Sequence, residues 1–158
     1  MDKKTTILVT GASGFIGRYI LQRLKEEDVK IIAMVRKESS PSGLLSNVDK
    51  VVEVDIGKTQ KNIYDHVGRP DILIHLAWEG LPNYQSLHHY EKELPQQYSF
   101  LKSMVTGGLK SMVISGTCFE YGMQGGCLSE NHITNPQNPY GYAKDSLHCH
   151  LHMQGPLL

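Results

Sequence analysis

The chain has 158 residues, 40% hydrophobic and 20% charged, which suits one folded domain and is short for a two-domain enzyme. Sixteen Lys and Arg balance sixteen Asp and Glu, leaving no electrostatic footprint for nucleic acid or an anionic membrane surface. No apolar run approaches the ~20 residues of a membrane span, the N-terminal apolar stretch is too short for a signal-peptide core, and three cysteines without Cys-x-x-Cys spacing suit reduced thiols, so the sequence reads as cytoplasmic.

Thr6 to Val9 form an apolar run that predicts a first strand, and it leads into TGASGFIG, Thr10 to Gly17. Three glycines spaced three apart, Gly11, Gly14 and Gly17, sit where that strand ends and an amphipathic helix begins. Gly11 permits a sharp turn, Gly14 lets backbone approach a phosphate, and Gly17 lets the helix lie close to the sheet. The free N–H groups of the first helical turn would then face a pyrophosphate. The same triplet could be a plain structural turn. The helical recurrence of Phe15, Ile16, Tyr19, Ile20 and Leu24 favours dinucleotide binding, and Glu26, Glu27 and Asp28 close the helix.

Val29 to Val35 reads as a second, buried parallel strand. About 20 residues past such glycines an acidic side chain ordinarily meets the adenosine ribose. This chain has Arg36 and Lys37 there. A guanidinium binds a 2′-phosphate that a carboxylate would repel, so the reading is NADP in preference to NAD, against the plainer one of two solvated charges ending a strand. Residues 38–47 are turn-rich, and Val51 to Val54 predicts a third strand. At its end Asp55 and Ile56 either flank the adenine or, for Asp55, cap the next turn. Thr59 to Val67 predicts a modest helix stopped by Gly68, Arg69 and Pro70.

Asp71 to Leu76 is the fourth predicted strand, continuously apolar as a strand covered on both faces should be. Within it His75 reads as a hydrogen-bonded core residue rather than a catalyst. Leu76 and the small Ala77 close the strand with room for the cofactor to pass, and Trp78 begins a loop bordering a substrate pocket. Pro82 to Glu93 is polar and resists assignment. From Leu94 a helical face of Leu94, Tyr98, Leu101 and Val105 runs to Gly107 and Gly108, with Pro95 either in its first turn or at a kink. Ser111 to Ser115 predicts the fifth strand. Strands alternating with helices at this spacing mean βαβ units: an α/β, doubly wound, Rossmann-like parallel sheet of five strands in the order 3-2-1-4-5, with ligands along the C-terminal strand edges.

A second constellation follows. Thr117 lies just past the fifth strand, Tyr140 comes 23 positions later and Lys144 four after that. Residues four apart on a helix share a face, so the phenol and the ammonium point into the same space. A nearby cation favours the ionised phenol, which makes Tyr140 a candidate proton donor and acceptor, with Thr117 placed to hold a substrate oxygen.

TGASGFIG, DILIHLA, SGTCFEYG (Ser115 to Gly122) and PYGYAK (Pro139 to Lys144) together resemble the extended short-chain dehydrogenase/reductases, the NAD-dependent epimerase/dehydratase family acting mostly on nucleotide sugars. The resemblance spans nearly the whole chain. It implies Thr117, Tyr140 and Lys144 as the catalytic set, with Lys144 also holding the nicotinamide ribose. It implies Gly11, Gly14 and Gly17 as the cofactor loop, and with the residues read above the candidate cofactor set is Gly11, Ser13, Gly14, Phe15, Ile16, Gly17, Arg36, Lys37, Asp55, Ile56, Leu76, Ala77, Trp78, Tyr140 and Lys144. The implied reaction is hydride transfer at C4 of a nucleoside-diphosphate-linked hexose, as in a 4-keto-6-deoxyhexose reductase or a C4 epimerase of surface-polysaccharide synthesis. One departure is Glu93, where the family places an asparagine. Another is length: family members run to about twice this size, so residues 1–158 are expected to be the dinucleotide-binding domain without its C-terminal substrate region. A homodimer through the helices Leu94–Thr106 and Tyr140–Met153 is the expected assembly.

Two other functions stay open on these residues: an NADP(H)-binding module or subunit without turnover, and a small classical-type reductase of a non-sugar carbonyl. Of the histidines His148, His150 and His152, two share a helix face with no carboxylate or thiolate evident to complete a metal site, so surface or partner-facing roles are expected. Cys118 and Cys149 read as small buried residues.

Overall fold

A computed structural model describes residues 3–36, 46, 48–58 and 61–152. Lys37 and residues 38–45 and 47 of the turn-rich stretch lie outside the described residues, as do Thr59 and Met153. The chain divides into two compact units, one of Met1–Ala77 with Phe100–Ile114, the other of Trp78–Ser99 with Ser115–Leu158. No described helix is long and apolar enough to cross a membrane.

The first unit holds the whole sheet: β1 (Thr6–Thr10), β2 (Lys30–Val35), β3 (Lys50–Glu53), β4 (Ile72–His75) and β5 (Ser111–Ile114), with α1 (Phe15–Leu24) and the single turn α2 (Ile63–His66) between them. All pairings are parallel and the order is β3-β2-β1-β4-β5, as predicted. Register places Ile7 beside Ile31 and Ile72, and Val9 beside Ala33 and Ile74. On one face Ile7, Val9, Ile31, Ala33 and Val35 pack with Ala12 and Leu21, joined by Ile20 and Leu24 of α1. The alternate strand positions Leu8, Ile32 and Leu73 are fully buried as well. Burial on both faces is why these strands read as unbroken apolar runs.

Two elements depart from expectation. The helix predicted from Thr59 shrinks to four residues because Asn62 at its start takes a left-handed φ of 61°, and Gly68 and Arg69, both at positive φ, end it at once. Phe15, Ile16 and Tyr19 were read on the apolar face of α1, yet they are 71%, 55% and 56% exposed. The sheet-facing stripe is Gly17, Ile20, Leu21 and Leu24, and the Arg18 guanidinium covers the outer rings of Phe15 and Tyr19 at 5.0 and 5.2 Å.

The second unit is helical. A π-helical turn, His89–Glu93, runs into α3 (Leu94–Gly107), whose later residues from Phe100 belong to the first unit. Pro95, one residue into α3, has no N–H to return to the turn before it, and the backbone there is wound wider. A 3₁₀ turn, Cys118–Glu120, precedes α4 (Pro139–His152). α4 starts where it does because the Asn138 side chain accepts the Gly141 N–H at 2.8 Å and Pro139 supplies a first-turn residue needing no N–H partner.

Candidate functional site

In the first unit, the loop between β1 and α1 is built so that only glycine fits at two places. Gly11 has φ +63°, and a Cβ there would lie 2.9 Å from both Ala77 N and the Leu76 carbonyl carbon. At Gly17 a Cβ would meet the Gly11 carbonyl oxygen and come within 2.8 Å of Ala12 Cα, so α1 lies directly on the loop. Gly14 is the extended N-cap residue of α1; its N–H donates to Gly11 O at 2.9 Å and no side chain caps the helix. The first return bond is Arg18 N–H to Gly14 O, which leaves the first-turn N–H groups facing outward beside exposed Ser13, Phe15 and Ile16. A pyrophosphate fits this cradle, with peptide N–H groups as donors and the positive helix end behind them.

A residue that went unremarked in the sequence organises this edge. Thr10 is fully buried, and its Oγ1 accepts the N–H groups of Leu76 (3.1 Å) and Ala77 (3.2 Å) while lying 2.9 Å from His75 Nδ1. One hydroxyl thereby shapes the end of β4 against Gly11. His75 is 1% exposed and stacks on Phe100 at 5.6 Å, the core role expected of it. Arg36 is exposed just past β2. Asp55 accepts the Gly57 N–H at 3.0 Å and pairs with Lys58 at 3.2 Å, so of its two readings the turn cap is formed; Ile56 beside it is half-buried.

The second unit brings Thr117, Tyr140 and Lys144 together. Tyr140 is 7% exposed, and the Thr117 side chain near its phenol favours the ionised form. Its ring lies among those of His89 (5.2 Å), Tyr84 (5.5 Å), Trp78 (5.9 Å) and Phe119 (6.1 Å). Gly141 makes room for this: a Cβ there would lie 2.9 Å from the Phe119 carbonyl carbon, so α4 sits directly on the 3₁₀ turn. Lys144, 5% exposed, holds its Nζ 4.5 Å over the Trp78 ring.

The electrostatics correct one expectation. A cation was to bring the phenol down, but burial pushes Tyr140 above its ordinary value and the Thr117 side chain only partly offsets it. Lys144 is the group that moves: burial lowers it from 10.5 to about 8, against the pull of Glu120 and Glu93. At neutral pH the site thus holds a neutral phenol that can donate a proton and an ammonium within reach of losing one.

Three supporting residues were not legible as such. His89, fully buried, accepts the Trp78 indole N–H at Nδ1 (3.0 Å), and its Nε2 lies 2.9 Å from Asn83 O, which fixes the ring that faces Tyr140. Glu93 accepts the Glu79 N–H and the Gln97 amide N–H, both at 3.0 Å, with His88 Nε2 at 3.6 Å. The Glu93 carboxylate thus meets donors on several sides. Glu120 accepts the Thr117 N–H at 2.7 Å. It also lies 3.9 Å from His148 Nδ1, so a carboxylate does stand near the terminal histidines. His148 and His152 share a face with ring centroids 4.6 Å apart, while His150 turns to Tyr98 at 5.4 Å. The expectation for Cys118 and Cys149 fails: both are exposed, because Cys118 opens the 3₁₀ turn outward and Cys149 lies off the Tyr140–Ala143–Leu147–Leu151 face of α4.

Residues 7–152 match the sequence model of the NAD dependent epimerase/dehydratase family. The dTDP-6-deoxy-L-talose 4-dehydrogenase (NAD(+)) of Aggregatibacter actinomycetemcomitans is 35% identical over 141 residues, covering 89% of this chain and 52% of that protein. A UDP-glucose 4-epimerase of Halalkalibacterium halodurans is 30% identical over 145 residues, covering 87% and 42%. Among solved structures, the UDP-Glc/GlcNAc 4-epimerase of Campylobacter jejuni superposes with a TM-score of 0.84 at 22% identity over 97% of this chain and 50% of that one. The UDP-glucuronic acid 4-epimerase of Bacillus cereus in complex with NAD gives 0.74 at 23%, over 96% and 53%. These likenesses establish the shared fold, and the chain spans about half the length of the curated relatives it matches. With its glycine loop, strand order and family match in agreement, the chain belongs to the NAD-dependent epimerase/dehydratase family.

Proposed function

We propose that this chain supplies the dinucleotide-binding loop and the acid/base residues of an oxidoreductase acting at C4 of a nucleoside-diphosphate-linked 6-deoxyhexose. The observation that carries the proposal is the burial of Tyr140 and Lys144 against the same Trp78 ring, with Thr117 at the adjoining turn, since a pure binding module has no use for a desolvated phenol and a desolvated ammonium in one place. When bound, NAD(P) supplies or accepts the hydride at the sugar carbon. The loop Gly11 to Gly17 holds the pyrophosphate on its outward N–H groups, and Arg36, exposed at the ribose end of β2, favours NADP. The talose dehydrogenase relative is named for NAD(+), so the two cofactors need direct comparison. Tyr140 donates its proton to the sugar oxygen in reduction and takes it back in oxidation. Thr117 holds that oxygen in line, and the Lys144 ammonium stabilises the phenolate formed as the proton leaves. Support for a 6-deoxyhexose comes from the 35% identity to the talose dehydrogenase, above that to the epimerases.

The test is consumption of NADPH or NADH in the presence of a nucleoside-diphosphate 4-keto-6-deoxyhexose. Wild type should turn over, and Tyr140→Phe, which keeps the ring packing, should lose at least ~100-fold in rate. Equal turnover by the two proteins would refute the role given to Tyr140.

A further inference from the structure

The side chains of Glu79, His88 and Glu93 take no part in the reaction proposed above, yet they converge within the second unit. One carboxylate oxygen from each glutamate and one ring nitrogen of His88 all lie within 4.8 Å of one another. Among the described residues no other three His, Cys, Asp or Glu side chains meet so closely. Glu93 is 1% exposed and is oriented through Oε2, which accepts the Glu79 N–H and the Gln97 amide N–H, both at 3.0 Å. That turns Oε1 toward His88, with Nε2 3.6 Å away. Gly80, at φ +83°, lets the loop after Glu79 close on the π turn: a Cβ there would come 3.2 Å from His88 Cδ2 and 3.0 Å from His89 Cε1.

The spacing suits ligands of one ion better than a direct ion pair. A charge-assisted N–H···O bond is about 2.7–2.9 Å long, shorter than the gap between His88 and Glu93. Two ligand atoms each about 2.1 Å from a shared cation lie about 3.0–3.6 Å apart at angles of about 90–120°. Rotation of the half-buried Glu79 carboxylate brings the third ligand in. Two carboxylates so close, one of them buried, repel each other, and a cation between them turns that repulsion into attraction. The Glu79 N–H and Gln97 are also the kind of outer contact that holds a ligating carboxylate in place.

The geometry points to a divalent cation site built from Glu79, His88 and Glu93. One imidazole nitrogen with two carboxylate oxygens selects an ion of the Zn²⁺ class over Mg²⁺ or Ca²⁺, which take oxygen ligands, and three protein ligands leave the remaining position to water. Its role is structural: the ion pins the loop from Glu79 to His88 onto the π turn, beside the Trp78–His89 hydrogen bond that borders Tyr140. No step of the proposed reaction passes through it.

The experiment is calorimetric titration of the metal-free chain, its exposed thiols blocked, with Zn²⁺ and separately with Mg²⁺. Wild type should bind Zn²⁺ with a Kd below ~100 µM and Mg²⁺ far more weakly. His88→Gln and Glu79→Gln, each shown to be folded by circular dichroism, should lose at least ~10-fold in Zn²⁺ affinity. His148→Gln should bind as wild type does, which separates this site from zinc collected by the neighbouring rings of His148 and His152. No Zn²⁺ binding below ~100 µM, equal affinity for Mg²⁺, unchanged affinity in either His88→Gln or Glu79→Gln, or a loss in His148→Gln would each overturn the site. Should either variant at positions 79 and 88 fail to fold, wild type decides the matter through paramagnetic Co²⁺. The backbone amide signals of Glu79, His88 and Glu93 should broaden first, and broadening centred elsewhere overturns the inference. None of these readouts uses NAD(P) or turnover, so a failure of the proposed reaction would leave them unchanged.

Discussion

Lys144 should be a liability to the fold in proportion to its use in the site. An ammonium brought from 10.5 to about 8 on folding corresponds to about 3 kcal/mol. Because the folded value lies below the unfolded one, the folded protein binds fewer protons between the two. Stability therefore rises with pH across that interval, and the full cost stands below about 8. Lys144→Met keeps most of the buried stem and removes the charge. It also gives up the contact over Trp78, worth about 1 kcal/mol, so the net gain expected near neutral pH is about 2 kcal/mol. Denaturant unfolding followed by circular dichroism, run near neutral pH and again at about pH 10, reads this directly. The variant should be the more stable protein at neutral pH, and the advantage should shrink at the higher pH, where wild-type Lys144 is neutral in the fold. A variant less stable than wild type at neutral pH, or an advantage that does not change with pH, would refute the argument that burial sets the state of this lysine.

Thr10→Val, nearly isosteric, strips the hydroxyl from two backbone N–H groups and the His75 ring, and should cost about 2–3 kcal/mol in the same unfolding assay; a loss under ~1 kcal/mol would mean that those donors find other partners. Gly17→Ala drives a methyl into the backbone of Gly11 and Ala12 and should destabilise by about 3 kcal/mol, whereas Gly125→Ala, with nothing within 4 Å, should be close to neutral. Similar melting temperatures for the two alanine variants would contradict the close packing of α1 on its loop.

What the sequence conveyed depended on whether a signal was local. The central strands β1 and β2 are short apolar runs because both of their faces are covered, so the core of the sheet and the glycine loop could be read directly. Gly11 and Gly17 carry their reason in their spacing. The π turn at His89–Glu93 had no such signature: His89 and Glu93 look like surface residues in a polar stretch, and only folding shows them buried beneath Trp78 and Gln97. Phe15 and Ile16 fitted the helical period but fall on the outer side of α1, because glycine at position 17 shifts the contact stripe toward Leu21. Burial also decided the electrostatics. The Tyr140 and Lys144 spacing was plain, whereas the desolvation that raises one and lowers the other depends on rings from Trp78, Tyr84 and Phe119, distant in sequence.

The most direct test of the account is calorimetric titration of the folded chain with NADPH and NADH, with Arg36→Ala alongside. The account predicts binding of both dinucleotides through the glycine loop, tighter for NADPH, with the mutant losing ~10-fold for NADPH and little for NADH. Binding of neither dinucleotide by a chain that circular dichroism shows to be folded would contradict it.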